Sequence, residues 1–461
     1  MNHDDLPAWS ARAAEWVRAY HAGLRDRPVR AQVAPGALRA ALPPAAPEAP
    51  EPPEAIFADF ERLIPGALTH WQHPRFFAYF PANAAPASIL AEQLIAGIGA
   101  QAMLWQTSPA ATELEQAMIS WLVGACGLPE GWTGTIHDSA TVATLSAVLT
   151  MREAALGFRG LSEGLAGLPR LRLYASAQTH TSVDKAARLS GIGQENLVKV
   201  ATRPDLSMDP AALDAAIRAD LSAGYLPVGV IFCAGGTAVG AFDDIAACLP
   251  IVRSHGLRCH VDAAWAGSAL VCPEFRPLMD GIAGCDSVVL NPHKWMGAQF
   301  DCAVQLLPDA TDQVRTLGLR PSFLETLDHD EVVNFNEWTV PLGRRMRALK
   351  LWFVLRAYGL AGVRRRLRDH VAWTAELCEV LRRTPGIEIV TEPRLSLFTF
   401  ALSAGDGATE TLLGRIHDDG RIYLTQTRHA GRFVIRFTCG TWECTRADVM
   451  TAGEVIRELM G

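Results

Sequence analysis

The chain has 461 residues, 49% of them hydrophobic and 20% charged, with a formal net charge of -7. This is apolar content enough for a sizeable core over about three domain-sized lengths, and the interspersed charges exclude a basic nucleic-acid surface or a polybasic membrane flank. The most apolar stretches are strand-length or broken by polar residues, so no transmembrane span is expected. The acidic start Met1-Asn2-His3-Asp4-Asp5 lacks a signal peptide's basic and apolar pattern. Ten scattered cysteines without a Cys-x-x-Cys pair predict reduced, mostly buried thiols in a cytoplasmic protein.

From the N-terminus, Trp9, Ala13, Trp16 and Tyr20 recur at helical spacing and predict an amphipathic helix from Leu6 to about Leu24. Residues 41 to 55 are rich in Pro, Ala and Glu and read as an extended linker. A second helix follows, around Ile56 to Leu63. This region is too poor in apolar residues for a core of its own and is expected to pack on a partner subunit. From about Pro86 strands alternate with helices. The strand candidates are Leu171 to Ala175, Val228 to Cys233, Arg258 to Val261 and Ser287 to Leu290, with helices such as Pro210 to Leu221 and Ile245 to His255 between them. That alternation predicts an α/β protein with a mostly parallel sheet covered on both faces. A long helix is predicted from Arg344 through Tyr358, ending at Gly359. Beyond Val371 a helix, strands at Ile387 to Val390, Leu397 to Leu402 and Phe433 to Thr438, and a last helix near Arg446 predict a smaller α+β domain.

Ligands of open α/β sheets bind beyond the carboxyl ends of the strands. After Leu171 to Ala175 the chain offers His180, after the strand ending near Cys233 it offers Gly235-Gly236-Thr237, after Val261 it offers Asp262-Ala263-Ala264, and after Leu290 it offers Asn291-Pro292-His293-Lys294. A lysine at the end of a buried strand is uncommon. Burial favours its neutral amine, which forms Schiff bases with carbonyl compounds such as pyridoxal phosphate. On that reading Asp262 pairs with the pyridine nitrogen, Ala263 and Ala264 leave room for a flat ring, and His180 stacks on the other ring face. Ser139, Ala140 and Thr141 lie in a run from Ile136 that opens a helix reaching Arg152, and are the phosphate candidates, with His293 as an added donor. Taken singly, an aspartate after a strand is a turn residue and Ser-Ala-Thr at a helix start is ordinary capping. The combination carries the argument. His70-x-x-His73 and His260-x-Asp262 lack further ligands at a recognisable spacing, so no metal is expected. No Gly-x-Gly-x-x-Gly follows a strand, which sets a dinucleotide site aside.

These residues resemble the aromatic-L-amino-acid decarboxylase family, the group II pyridoxal-phosphate decarboxylases. The resemblance rests on His73-Pro74-Arg75-Phe76-Phe77-Ala78-Tyr79-Phe80-Pro81, Trp105-Gln106-Thr107-Ser108-Pro109, His260-Val261-Asp262-Ala263-Ala264-Trp265, Asn291-Pro292-His293-Lys294-Trp295 and Pro341-Leu342-Gly343-Arg344-Arg345-Met346-Arg347. It implies a cofactor domain of the pyridoxal-phosphate aminotransferase-like fold over residues 86–350, a dimer-swapping helical arm over 1–85 and a small domain over 351–461. It implies pyridoxal 5'-phosphate as cofactor, a homodimer with a shared active site, and loss of carbon dioxide from an aromatic L-amino acid to leave the amine. Lys294 is then the Schiff-base lysine, Asp262 the ring-nitrogen partner and His180 the stacking imidazole, while Ala140, Thr141, Asn291 and His293 match cofactor-contact positions. Tyr79, Phe80 and Trp105 fall where the substrate ring is held. Met103 is grouped with them, and Ala82 is expected to widen that pocket.

The chain departs from the family at three places. Cys233 and Gly236 stand where the family usually has threonine, which alters the cofactor environment. Asp138 replaces a small residue common in animal members. Phe323 stands where a mobile loop normally carries the tyrosine that delivers the Cα proton, and no tyrosine occurs between Tyr225 and Tyr358. In the family that replacement accompanies oxidation to an aldehyde with ammonia and hydrogen peroxide, unless another donor such as His329 acts.

Overall fold

The computed structural model of the chain describes residues 1–319 and 331–461. Phe323 and His329 lie outside the described residues. Two compact units emerge, one of Met1–Pro81 with His370–Gly461 and one of Ala82–Asp369.

The Ala82–Asp369 unit is built on a seven-stranded sheet. Its strands are β1 (Thr133–His137), β2 (Leu171–Ser176), β3 (Leu197–Val200), β4 (Leu226–Cys233), β5 (Arg258–Asp262), β6 (Ser287–Leu290) and β7 (Ala303–Leu307), in the spatial order β1-β7-β6-β5-β4-β2-β3. The pairs from β6 through β5, β4 and β2 to β3 are parallel, whereas β7 is antiparallel to both β6 and β1. The sheet is thus mostly parallel: β7 alone runs against the others, and β1 beyond it at the edge runs with them. Buried runs in β4 and β6 reflect cover on both faces. The helices Pro210–Ser222 and Ile245–Ser254 start where Asp209 and Asp244 accept backbone N–H bonds and cap them.

Two sequence expectations need correction here. The run opening at Ile136 is not helical at once: Ile136 and His137 end β1, and the helix spans Ala140–Ala155. The helix predicted to stop at Gly359 breaks there (φ 63°, ψ 162°), begins at Ala348 rather than Arg344, and resumes beyond the break. Glycine tolerates that positive φ at little cost.

In the other unit, strands β8 (Ile387–Arg394), β9 (Leu397–Leu402), β10 (Thr425–His429) and β11 (Arg432–Thr438) form an antiparallel sheet in the order β10-β11-β9-β8. Phe398, Phe400, Phe437, Ile416 and Val455 centre its core. Helices Leu6–Ala22 and Pro53–Leu63 meet through Trp9–Phe57 and Trp16–Phe60 ring contacts at 5.8 and 4.8 Å. Neither helix has a buried residue, and a groove of about 710 Å³ along them is lined by Leu6, Trp9, Ala13, Trp16, Ile56 and Phe57. Among the described residues no helix is long and apolar enough to cross a membrane.

Candidate active site

Parallel strands deliver their carboxyl ends to one edge, so β5 and β6 place Asp262 and Lys294 side by side. The register pairs Cys233 with Asp262 and Asp262 with Val289, and the lysine follows five residues after Val289. Burial lowers the proton affinity of Lys294, and the Asp262 carboxylate partly offsets this. His180 is likewise pushed down, first by desolvation and then by Lys294, with Asp262 acting in the opposite sense. The three predicted groups therefore share one electrostatic environment. His180 keeps its ring exposed while Nδ1 accepts the Ser182 backbone N–H at 3.1 Å and caps helix Thr181–Leu189.

The turn after Asp262 is tied to the turn bearing Lys294. Asp262 Oδ1 accepts the Ala264 N–H at 3.2 Å, Ala263 donates to Val289 at 3.1 Å, and Asn291 donates to the Ala264 carbonyl at 2.8 Å. His293 is buried, and burial pushes its pKa down to about 3. Its Nδ1 accepts the Cys302 N–H at 2.9 Å, so the ring is neutral and Nε2 carries the proton. It offers a single N–H, not a cation. Cys233 donates its thiol proton to the Gln178 carbonyl at 3.3 Å, and burial beside Asp243 and Asp262 raises its pKa.

At the start of helix Ala140–Ala155, Ser139 accepts the Val142 N–H at 3.3 Å and donates to Asp138 at 2.9 Å. Its hydroxyl is a cap, which leaves the helix-start backbone N–H groups at Ala140 and Thr141 to receive an anion.

Met103, Trp105 and Ala82 belong to this unit; Tyr79 and Phe80 belong to the other. There Tyr79 stacks on Trp71 at 5.8 Å and Phe80 lies 5.6 Å from the Arg436 guanidinium. Sequence reasoning missed Asn83. Its backbone N–H donates to the His293 carbonyl at 2.8 Å and its side-chain amide to the Lys294 carbonyl at 2.7 Å. Its position directly after Ala82 was the only sequence signal; the fold then buries it at 1% exposure.

A buried polar seam crosses the strands behind these ends. His137 Nε2 meets Gln305 Oε1 at 2.8 Å, Gln305 Nε2 donates to Ser287 Oγ at 2.9 Å, and Ser287 Oγ meets His260 Nδ1 at 2.9 Å. Gln305 and Gln313 exchange reciprocal amide bonds of 3.0 Å. Ser287 Oγ accepts from Gln305 and shares a second hydrogen bond with His260 Nδ1. Burial holds His137 to about 3 and His260 to about 4. Both are neutral, and the seam locks the register of β1, β7, β6 and β5.

The pocket chemistry fits pyridoxal 5'-phosphate. A lysine with lowered proton affinity, a carboxylate, an exposed imidazole and a helix start converge. The side-chain carbonyl of Asn291, buried and without a hydrogen bond among the described residues, awaits a donor. A largely parallel sheet carrying such a set defines a pyridoxal-phosphate-dependent enzyme. The conserved domain described as "Pyridoxal-dependent decarboxylase conserved domain" matches residues 35–403. The chain is 37% identical to the aromatic-L-amino-acid decarboxylase of Rattus norvegicus (96% of this chain, 95% of the relative). It is 34% identical to the phenylacetaldehyde synthase of Arabidopsis thaliana (99% and 96%). The crystal structure of Oryza sativa TDC with PLP and tryptamine superposes with a TM-score of 0.96 at 32% identity, covering 100% of this chain and 98% of that one. The chain belongs to the pyridoxal-dependent decarboxylase family and is a pyridoxal-phosphate-dependent carboxy-lyase.

Proposed function

We propose that this protein removes the carboxylate of an aromatic L-amino acid and releases the amine. The observation that carries the reading is the shared electrostatic environment of Lys294, Asp262 and His180 at three strand ends. Pyridoxal phosphate, when bound, supplies an electron sink for the pair left by departing carbon dioxide. Burial eases loss of the proton from the Lys294 amine. Asp262 holds a proton on the ring nitrogen, its Oδ1 steadied by the Ala264 N–H. His180, its orientation fixed by the Ser182 N–H, would hold the cofactor ring by stacking. The helix start at Ala140 and Thr141 receives the phosphate, with Ser139 capping and Asn291 and His293 beside it. Cys233 and Ala264 complete the wall. Tyr79, Phe80, Ala82, Met103 and Trp105 are assigned to the substrate ring.

A second reading is favoured by Phe323, whose ring cannot donate a proton to Cα. With no donor there, the amino acid, oxygen and water yield an aromatic aldehyde, carbon dioxide, ammonia and hydrogen peroxide; His329 is the alternative donor in the same stretch. Incubation with a panel of L-amino acids, following carbon dioxide, amine, aldehyde and peroxide together, separates the two. Carbon dioxide without oxygen uptake supports the first reading; no carbon dioxide from any aromatic substrate refutes both.

The uncovered apolar groove on helices Leu6–Ala22 and Pro53–Leu63 supports a homodimer, testable by sedimentation. The ten cysteines are all buried and free of disulfides, which supports a cytoplasmic protein.

A further inference from the structure

Arg344 is buried at 5% exposure and reaches in two directions. Its Nη2 donates to Glu115 Oε1 at 2.6 Å, to Thr135 Oγ1 at 3.0 Å and to the Ile136 carbonyl at 2.9 Å, all fixed on β1 and helix Pro109–Cys126. Its Nη1 donates to the Ala102 carbonyl at 3.3 Å. Along its backbone, Arg344 accepts the Ala102 N–H at 2.9 Å and donates its own N–H to Gln101 Oε1 at 2.6 Å. One residue thus holds Gln101 and Ala102 by three bonds.

The segment that follows alternates. Ala102 and Leu104 are buried at 2% and 4% exposure, whereas Met103 and Trp105 are only partly covered. Its far end is held as well: the Asn336 N–H donates to the Met103 carbonyl and the Trp105 N–H to Asn334 Oδ1, each at 3.0 Å.

We propose that Arg344 is a positioning residue for substrate recognition, a strut that sets the height and direction at which Met103 and Trp105 are presented to an aromatic ring. This rests on the reading of those two residues as ring contacts. Lysine cannot replace the strut. The planar guanidinium spans four acceptors on β1, helix Pro109–Cys126 and Ala102, while an ammonium reaches only one side. Glu115 binds Thr135 Oγ1 at 2.9 Å and the Ile136 N–H at 2.7 Å independently of Arg344. Loss of the guanidinium therefore cuts the tie between β1 and residues 101–102, which keep their two bonds to the backbone of residue 344, and leaves β1 itself held, so that cofactor retention is preserved.

The test uses Arg344→Lys holoenzyme. Expected is a KM for the aromatic substrate and a Ki for its product amine each raised about tenfold, with kcat within about threefold, since small displacements of positioning groups weaken alignment steeply. The visible absorbance of the bound cofactor should match the wild type. KM and Ki within about twofold of wild type in a folded, cofactor-loaded variant overturn the strut. If Arg344→Lys fails to fold, Gln101→Ala on the exposed side decides: an increase of about threefold in KM is expected, and an unchanged KM overturns the proposal. Wild-type enzyme that binds no aromatic amine refutes the ring-contact reading and the strut with it. Wild-type binding that both variants reproduce refutes the strut alone.

Discussion

Asp262 raises the proton affinity of Lys294 against the burial that lowers it, from the end of β5 to the turn after its parallel neighbour β6. The carboxylate is thus a counterweight on the lysine, beside its proposed role as partner of the ring nitrogen. In Asp262→Asn the counterweight is gone, so Lys294 deprotonates at lower pH. The pH midpoint for capture of pyridoxal phosphate by the apoprotein should move down, and kcat should fall at least roughly a hundredfold, about 2.7 kcal/mol of activation free energy. A midpoint that moves up contradicts the coupling.

Lys294→Ala removes the only amine assigned to the cofactor. Activity should fall roughly a thousandfold or more, about 4 kcal/mol, and the visible absorption band should disappear. A retained band would show that another amine holds the cofactor.

Buried neutral histidines predict an acid-sensitive fold. His73 and His260 are held to about 4 and His137 and His293 to about 3, each chiefly by desolvation. Unfolded, such rings take up protons below about 6.5. The unfolded chain therefore binds more protons as pH falls, and stability present above about 6.5 is lost toward about 4, on the order of 2 kcal/mol per histidine at pH 5. Asp243 runs the other way: burial raises it to about 6, so it adds stability as pH falls through that value. Four imidazoles outweigh one carboxyl. The melting temperature should drop between pH 6.5 and 5, and a flat profile would mean that these rings are not excluded from protonation.

Gln305→Leu tests the seam. It strands His137, Ser287 and Gln313 in the interior, where an unsatisfied polar group costs about 1 to 3 kcal/mol. A loss of at least about 3 kcal/mol in urea denaturation is expected. Near-neutral behaviour would mean that the partners find other bonds.

Phe323→Tyr addresses the product. Under the aldehyde reading, the variant should raise amine at the expense of peroxide by about tenfold or more. Unchanged peroxide and amine yields exclude residue 323 as the position that decides proton delivery.

The proposed catalytic set was legible because each member follows an apolar, strand-length run: His180 after β2, Asp262 at the end of β5 and Lys294 after β6. Strands β1 and β7 were not read, for a physical reason. Thr133, Gly134 and Thr135 offer no apolar run, and Gln305 interrupts one, because both strands carry the polar seam inside. Gly134 is there because a side chain would run into the Gln305 carbonyl.

Composition and local order were sufficient for the α/β class and the cofactor, since hydrophobic period and strand-end chemistry are properties of neighbouring residues. Contacts between distant segments were not available to that reading: Asn83 on the Lys294 carbonyl, Arg344 between residues 101–102 and β1, and the tautomer of His293. Each depends on a partner brought near by folding, and burial then decides its charge.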